Sequence, residues 1–459
     1  MPRFLLTCIL FAIIPVTTES AELRRAPYLQ VQRSDGITIR WRTDDSVRHT
    51  SVVRYGRSPD TLDQVVAAKE PHQHYPGRRD WQATINGLTP DTKYYYAIEA
   101  DRATLCGADD RHWFRTACEP GATRKLRFWL LGDSGSNRPR DDDLKKVLSY
   151  TSPIDPIRVR NGFRKFNQNQ PLDGIILLGD NAYPFGTDEQ YQASFFNVYD
   201  HELRSVPLWP CIGNHDIDDA YRYAFTTNTA AKAGGTKSPN MHYYSADIGN
   251  LHLVVLDPWK NWLQETTDEN HQPWKTQLAW FEKDLATNKQ QWCFVVNHFP
   301  LYCDGDYNSD TNKPLVMLRE RLVPIFDRHG VDLCLTGHDH TYQRSYLLHG
   351  HTGLSKTFDP MRHRKSDSDG RKTPIRKHPT KDSGTMYIVN GTGGGSRTNG
   401  KFTHPALVPF ESAKGSQRGI AIPGSLIIEI DGLTLTGWQI DEHGKELDRF
   451  RIVHESARR

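Results

Sequence analysis

The hydrophobic rhythm of the chain changes once. From about residue 24 to 118, apolar and polar residues alternate in short runs such as Gly36-Ile37-Thr38-Ile39-Arg40-Trp41, Ser51 to Tyr55 and Trp81 to Ile85. A period of two places every second side chain on one face, which predicts half-buried β-strands. A linker follows at Cys118 to Thr123, marked by Glu119-Pro120-Gly121. The runs then become continuously apolar, as in Phe128 to Leu131, Ile175 to Leu178 and Trp292 to Val296. Such runs predict strands covered on both faces. They alternate with helical stretches such as Asp142 to Tyr150 and Trp274 to Asn288, an order that predicts a layered α/β domain over about residues 125–455. Tyr243 to Asp247 and Leu251 to Asp257 predict a hairpin across Gly249-Asn250. Further strands fall at 385–392 and 425–453, with a last turn at Asp441 to Lys445.

Five of the apolar runs end alike. Phe128 to Leu131 ends at Asp133, and Ile175 to Leu178 at Gly179-Asp180 with Tyr183 three residues on. Val206 to Ile212 ends at Gly213-Asn214-His215-Asp216, Trp292 to Val296 at Asn297-His298, and Val331 to Leu335 at Gly337-His338-Asp339-His340. Open α/β sheets place ligand sites at the carboxyl ends of their strands. Oxygen and nitrogen donors without thiolate suit iron, zinc or manganese rather than copper(I) or an iron–sulfur cluster. There are too many donors for one tetrahedral ion. Two ions sharing a carboxylate account for the number, and such pairs, about 3.5–4 Å apart, clamp the attacking and leaving oxygens of a phosphoryl displacement.

In order and spacing, Asp133-x-Gly135, Gly179-Asp180-x-x-Tyr183, Gly213-Asn214-His215-Asp216, Val295-x-x-His298 and Gly337-His338-x-His340 resemble the five blocks of the purple acid phosphatases, which are binuclear metallophosphoesterases. Ahead of them, Gly87-Leu88-Thr89-Pro90-Asp91-Thr92-Lys93-Tyr94 resembles the tyrosine corner of a fibronectin type III sandwich, a domain the family also carries in front. The resemblance implies an all-β fibronectin III-like sandwich over 24–118, followed by an α/β metallophosphoesterase domain of layered sheets flanked by helices. It implies Asp133, Tyr183 and His340 on an Fe(III) ion, Asn214, His298 and His338 on a divalent Fe, Zn or Mn, and Asp180 bridging both. Asn214 and His215 are expected to meet the substrate, with His215 bonding the phosphate and protonating the leaving oxygen. The implied activity is that of an exported acid phosphatase, which cleaves small phosphomonoesters by in-line attack of a hydroxide formed on the metals. Phosphodiesters, nucleotides and pyrophosphate are alternative substrates on the same scaffold. A different class, an exported binding or adhesion protein with an inactive phosphatase domain, is weakened because none of the seven expected ligands is missing.

One departure stands out. Many family members carry further histidines just after the His298 block, whereas Phe299 to Tyr307 holds none here; Asp304, Asp306, His363 or His378 are candidates for the vacant role.

Composition adds bounds. A formal net charge of +3 over 459 residues gives no argument for nucleic-acid binding. Arg3, the apolar run Phe4 to Val16 and the small residues Thr17 to Ala21 predict a signal peptide over 1–21, too short to span a bilayer, and hence a secreted or periplasmic protein without a membrane span. Of the six later cysteines, Cys106 and Cys118 flank one hairpin and are the best candidate disulfide, while Cys211, Cys293 and Cys334 lie in apolar runs and read as buried thiols. His351 to Lys381 carries nine Lys or Arg against three Asp, which suits a solvated insertion or a basic flap beside an anionic substrate.

Overall fold

The computed structural model describes residues 21–44, 49–71, 78–135, 156–263, 268, 270–378, 381–412 and 415–456. The expected signal segment, Ala21 apart, and the helix expected at Asp142 to Tyr150 lie outside these residues.

The continuously apolar strands form two sheets stacked face to face. One has ten strands in the order Ile375–Lys377, Glu446–His454, Thr434–Asp441, Gly424–Asp431, Leu126–Leu131, Gly174–Leu177, Pro207–Trp209, Leu23–Arg33, Gly36–Thr43 and Arg79–Ile85. The other has six: Tyr244–Ile248, Leu251–Val255, Trp292–Val296, Leu333–Thr336, Thr385–Asn390 and Tyr342–Leu348. Strand side chains alternate faces, so each sheet feeds two cores. Phe128, Leu130 and Ile176 meet Leu253, Phe294 and Leu335 between the sheets. Trp129 and Leu177 point the other way onto the helix Pro156–Asn167, where Trp129 stacks on Phe163 at 3.9 Å. Val295 and Cys334 do the same under the helices Gln272–Thr287 and Lys313–His329. Burial on both faces is why these runs carry no polar alternation.

The second sheet of the N-terminal half holds Gln64–Ala67, Ser51–Gly56, Lys93–Ala100 and Ala103–Gly107, with Trp113–Arg115 paired to Lys93–Ala100. The phenol of Tyr94 accepts the Thr89 N–H at 3.0 Å, which closes the expected corner. The N-terminal half is joined directly into the larger sheet. Its strand Leu23–Arg33 pairs in parallel with Pro207–Trp209, with Leu29 opposite Pro207 and Gln30 opposite Leu208. The alternation in Gly36–Thr43 therefore does not mark a solvent face, because all eight residues are buried. Arg40 donates to the Tyr223 carbonyl at 2.6 Å, and Arg42 pairs with Asp80 and Asp188. The polar positions of this strand are seats for buried ion pairs across the two halves, a pattern that looks like exposure from sequence alone.

Two further expectations change. Cys106 and Cys118 are both free thiols, because Cys106 packs with the N-terminal core and Cys118 with the core between the two large sheets. The basic stretch 351–381 is solvated in part, with Lys356, Arg362, Lys365, Lys372 and Arg376 exposed, but it is anchored rather than loose. It docks through the edge strand Ile375–Lys377, with Lys377 buried on Asp332 at 2.6 Å and Arg371 held by Asp448 at 2.8 Å. His378 pairs with Glu455, and His363 packs on His351 and Phe358, so both have their partners away from the strand ends.

Candidate metal centre

Strand register brings the chemistry together. Gly174–Leu177 pairs in parallel with Leu126–Leu131, Leu177 opposite Leu131, so both strands stop at one level. The Asp133 N–H then donates to the Gly179 carbonyl at 3.0 Å, which ties the two turns that carry Asp133 and Asp180. Both residues take left-handed backbone, φ 54° and 53°, and His338 does so at φ 67°. Non-glycine residues rarely adopt that region, and it costs about 1 kcal/mol or more each, so three such residues at one point mark a place where side-chain aim outweighs local stability.

The donors converge in two groups around Asp180. Tyr183 Oη lies 3.0 Å from Asp133 Oδ1, 3.0 Å from Asp180 Oδ2 and 3.2 Å from His340 Nε2. His340 Nε2 is also 3.3 Å from Asp133 Oδ1. On the other side, His298 Nε2 lies 3.1 Å from Asn214 Oδ1 and 3.3 Å from Asp180 Oδ2. The His298 Nδ1–H donates to the Leu178 carbonyl at 2.8 Å, so Nε2 is the nitrogen turned toward the cluster. His338 completes the ring, its imidazole 5.1 Å from that of His298 and 4.6 Å from Phe299. Its backbone N–H donates to Asp133 Oδ2 at 2.9 Å.

His215 sits beside this cluster rather than in it. Its N–H donates to Asp180 Oδ1 at 2.7 Å, and its ring packs 4.5 Å from that of Tyr183. Nδ1 lies 2.9 Å from the Pro184 carbonyl and must donate to it, which leaves Nε2 as the working nitrogen. Gly213, just upstream, leaves no room for a side chain: a Cβ there would stand 2.2 Å from Asp180 Oδ1.

The electrostatics ask for cations. Burial opposes charge on Asp180, but His298 and His215 outweigh it and hold the carboxyl below the usual carboxylate range. Burial works against protonation of His298, yet Asp180 raises its pKa to about 9. Burial, Asp133 and Asp180 push the Tyr183 phenol well above its ordinary value, and burial with His298 beside it pushes His338 well below its own. Two buried carboxylates, a phenol and two imidazoles at hydrogen-bond distances, with the His338 ring packed beside them, form a donor set that fits a pair of hard or borderline cations. Asp133, Asp180 and His298 alone already place one donor atom each within 4.8 Å of one another. The cations implied by the donor chemistry thus match the residues present.

Three contributors were given no role by the sequence. Asp216 is fully buried and gathers the two loops of the cluster. Its Oδ1 accepts the Asn181 N–H at 3.1 Å and the Tyr191 hydroxyl at 2.5 Å, and its Oδ2 accepts Gly213 N–H at 2.8 Å and Asn181 Nδ2 at 3.0 Å. Burial and Asp180 raise its pKa to about 7. Tyr191 belongs to the short helix Asp188–Tyr191, whose Asp188 binds Arg25 and Arg42 of the N-terminal half, so that half reaches the metal loops through Asp216. Tyr307 stacks on His338 at 4.1 Å, and the Arg397 N–H donates to the His340 carbonyl at 3.1 Å. Nothing local in the sequence joins these residues to blocks tens of positions away. Asp304 does not fill the vacant histidine role, because Asn308 and Thr403 take both its oxygens.

Comparison with known proteins bears on both domains. Residues 126–342 match the calcineurin-like phosphoesterase family, and residues 25–116 match the purple acid phosphatase N-terminal domain. Purple acid phosphatase 21 of Arabidopsis thaliana is 25% identical over 380 residues, covering 80% of this chain and 70% of its own. Tartrate-resistant acid phosphatase type 5 of Oryctolagus cuniculus is 27% identical over 274 residues, covering 54% of this chain and 79% of its own. Among solved structures, purple acid phosphatase PPD1 from yellow lupin seeds superposes with a TM-score of 0.66 at 16% identity, over 94% of this chain and 75% of that one. This chain, an N-terminal purple acid phosphatase domain joined to a calcineurin-like phosphoesterase domain, belongs to the purple acid phosphatases and is a metal-dependent hydrolase.

Proposed function

We propose that the protein is an exported acid phosphatase that hydrolyses phosphomonoesters at a binuclear centre. The observation that carries this is the position of Asp180, whose Oδ2 lies 3.0 Å from Tyr183 Oη on one side and 3.3 Å from His298 Nε2 on the other. One carboxylate between two donor groups is what a bridging ligand requires. Asp133, Tyr183 and His340 would hold one ion, and Asn214, His298 and His338 the other. Phenolate and carboxylate are hard, anionic donors that favour Fe(III); imidazoles with a neutral amide oxygen suit a divalent Fe, Zn or Mn.

When bound, the ion pair supplies Lewis acidity, lowering the pKa of water to near neutrality and drawing charge from the phosphoryl oxygens. The chain's own groups do the rest. The Leu178 carbonyl fixes the tautomer and aim of His298. Asp216 holds the Asn214-His215 turn against the Asp180 turn through Gly213 and Asn181. His215, pinned at Nδ1 by Pro184 and at its amide by Asp180, keeps Nε2 free to bond a phosphate oxygen and pass a proton to the leaving oxygen. The predicted signal segment supports export, and a mature protein assayed after secretion from its host would test it.

Competition among p-nitrophenyl phosphate, bis-p-nitrophenyl phosphate and nucleoside monophosphates tests the reaction. Monoesters are expected to dominate in kcat/KM. A diester turned over much faster would overturn the monoesterase reading.

A further inference from the structure

The cluster has a rim that the proposed function leaves unused. Loop 304–307 and the segment that starts at Arg397 form it together, and both are anchored to the His338–His340 turn. Asp339, fully buried between those histidines, accepts the Tyr307 N–H at 3.2 Å through Oδ2. The two rim segments pack so closely that a Cβ on Gly400 would stand 2.1 Å from the Gly305 carbonyl oxygen. The Phe402 N–H donates to the Asp304 carbonyl at 3.1 Å, and the Thr403 N–H to Asp304 Oδ2 at 2.7 Å.

Arg397 is fixed at both ends within this frame. Its backbone N–H is on the His340 carbonyl at 3.1 Å, and its guanidinium Nε is on Asp306 Oδ2. Asp306 is nearly buried, with its side chain 8% exposed, whereas that of Arg397 is 42% exposed. A guanidinium carries five N–H donors in a planar fork, and Asp306 engages Nε. Among the described residues neither Nη makes a hydrogen bond, while the stem is held. That is the geometry of an aimed cation, since a long side chain held by a carboxylate loses less freedom when it binds an anion. Tyr307, stacked on His338, adds a rigid ring beside it.

We propose that Arg397, aimed by Asp306, is a specificity residue of this site and binds a second anionic group of the substrate, so that the preferred substrates carry a further phosphoryl group next to the one that is cut. The inference rests on the phosphatase reading above. On that reading the phosphoryl group under attack already faces two cations and His215, so a guanidinium at the rim is matched by charge on the remainder of the substrate.

The test uses the metal-loaded protein and two readouts. The first is kcat/KM on pyrophosphate and on p-nitrophenyl phosphate, for the parent, Arg397→Ala and Arg397→Lys. The second is calorimetric binding of imidodiphosphate and of orthophosphate, which needs no turnover. Arg397→Ala is expected to lose at least tenfold more on pyrophosphate than on p-nitrophenyl phosphate, chiefly through KM. It should weaken imidodiphosphate more than orthophosphate by a similar factor, and Arg397→Lys should recover part of both. Asp306→Asn, which keeps the shape of the loop, should lower the same ratio by releasing the guanidinium, and it serves if Arg397→Ala does not fold. Equal losses on both substrates and both ligands would show that Arg397 serves the cut phosphate itself and would overturn the proposal. A metal-loaded parent that hydrolysed neither substrate would overturn the phosphatase reading, while the ligand comparison would still decide the role of Arg397.

Discussion

Gly213→Ala places the smallest possible side chain against Asp180. The new Cβ would stand 2.2 Å from Asp180 Oδ1 and 2.3 Å from the Asp180 backbone nitrogen, where ordinary contact begins near 3.4 Å. The obstacle is partly backbone, so no side-chain rotation relieves it, and the two turns must separate by roughly 1 Å. Overpacking of this kind costs about 1–3 kcal/mol, which a chain with this much buried core should survive. The functional cost is larger. The separation breaks the 2.7 Å bond from the His215 N–H to Asp180 Oδ1, and it moves Asp180 off the midpoint between Tyr183 and His298. A displacement of about 1 Å among reacting groups costs on the order of 100-fold in rate. Metal content by mass spectrometry and turnover of p-nitrophenyl phosphate should both fall, with the far-ultraviolet circular dichroism unchanged. Full metal content with turnover within about threefold of the parent would refute the claim that the 213–216 turn is held in register by contact with Asp180.

Asp180→Ala is expected to empty or scramble both metal positions, whereas His215→Ala should keep the metals and slow turnover by about 10²–10⁴-fold, as for a lost general acid; equal metal loss in the two would contradict the division of roles. Asp216→Ala strands four donors, those of Asn181, Gly213 and Tyr191, and is expected to cost about 4 kcal/mol in chemical unfolding, with a fall in metal affinity that Asp216→Asn partly restores. His252, buried between Asp247 at 2.7 Å and Asp284 at 2.9 Å, is a pH-dependent brace far from the metals. Burial lowers its pKa, but the two carboxylates raise it to about 9. Its folded value is above its unfolded one, so its contribution, about 3 kcal/mol, is complete below pH 6.5 and is lost as the pH rises through 9. The stability gap between parent and His252→Gln should shrink across that window in urea titrations, and a constant gap would contradict it.

The five blocks could be read from sequence because each is local. An apolar run and its polar end lie within about ten residues, and parallel register then brings Asp133 and Asp180 to one level without any long-range information. What stayed hidden depends on contacts distant in the chain. Asp216 reads as one more polar residue after His215 until Tyr191 and Asn181 are seen to converge on it. Tyr307 and Arg397 reach the histidines from opposite flanks of the last block, and no spacing rule links them. The N-terminal half misled for a physical reason. Thr38, Arg40 and Arg42 alternate with apolar residues as an exposed face does, yet Tyr223, Asp80 and Asp188 bury that face as ion pairs and hydrogen bonds. In the same way the basic stretch 351–381 reads as solvated by charge alone, although Lys377 and Arg371 spend their charge on the buried acids Asp332 and Asp448.

The most direct test of a binuclear centre built on these residues is the visible absorption of the iron-loaded protein, read together with its metal content, for the parent and for Tyr183→Phe. Two metal ions per chain and a broad visible band in the parent, with the band lost in Tyr183→Phe, are the results expected if the phenolate of Tyr183 holds the ferric ion beside Asp133 and Asp180. A single ion, or a band that Tyr183→Phe leaves in place, would contradict the assignment.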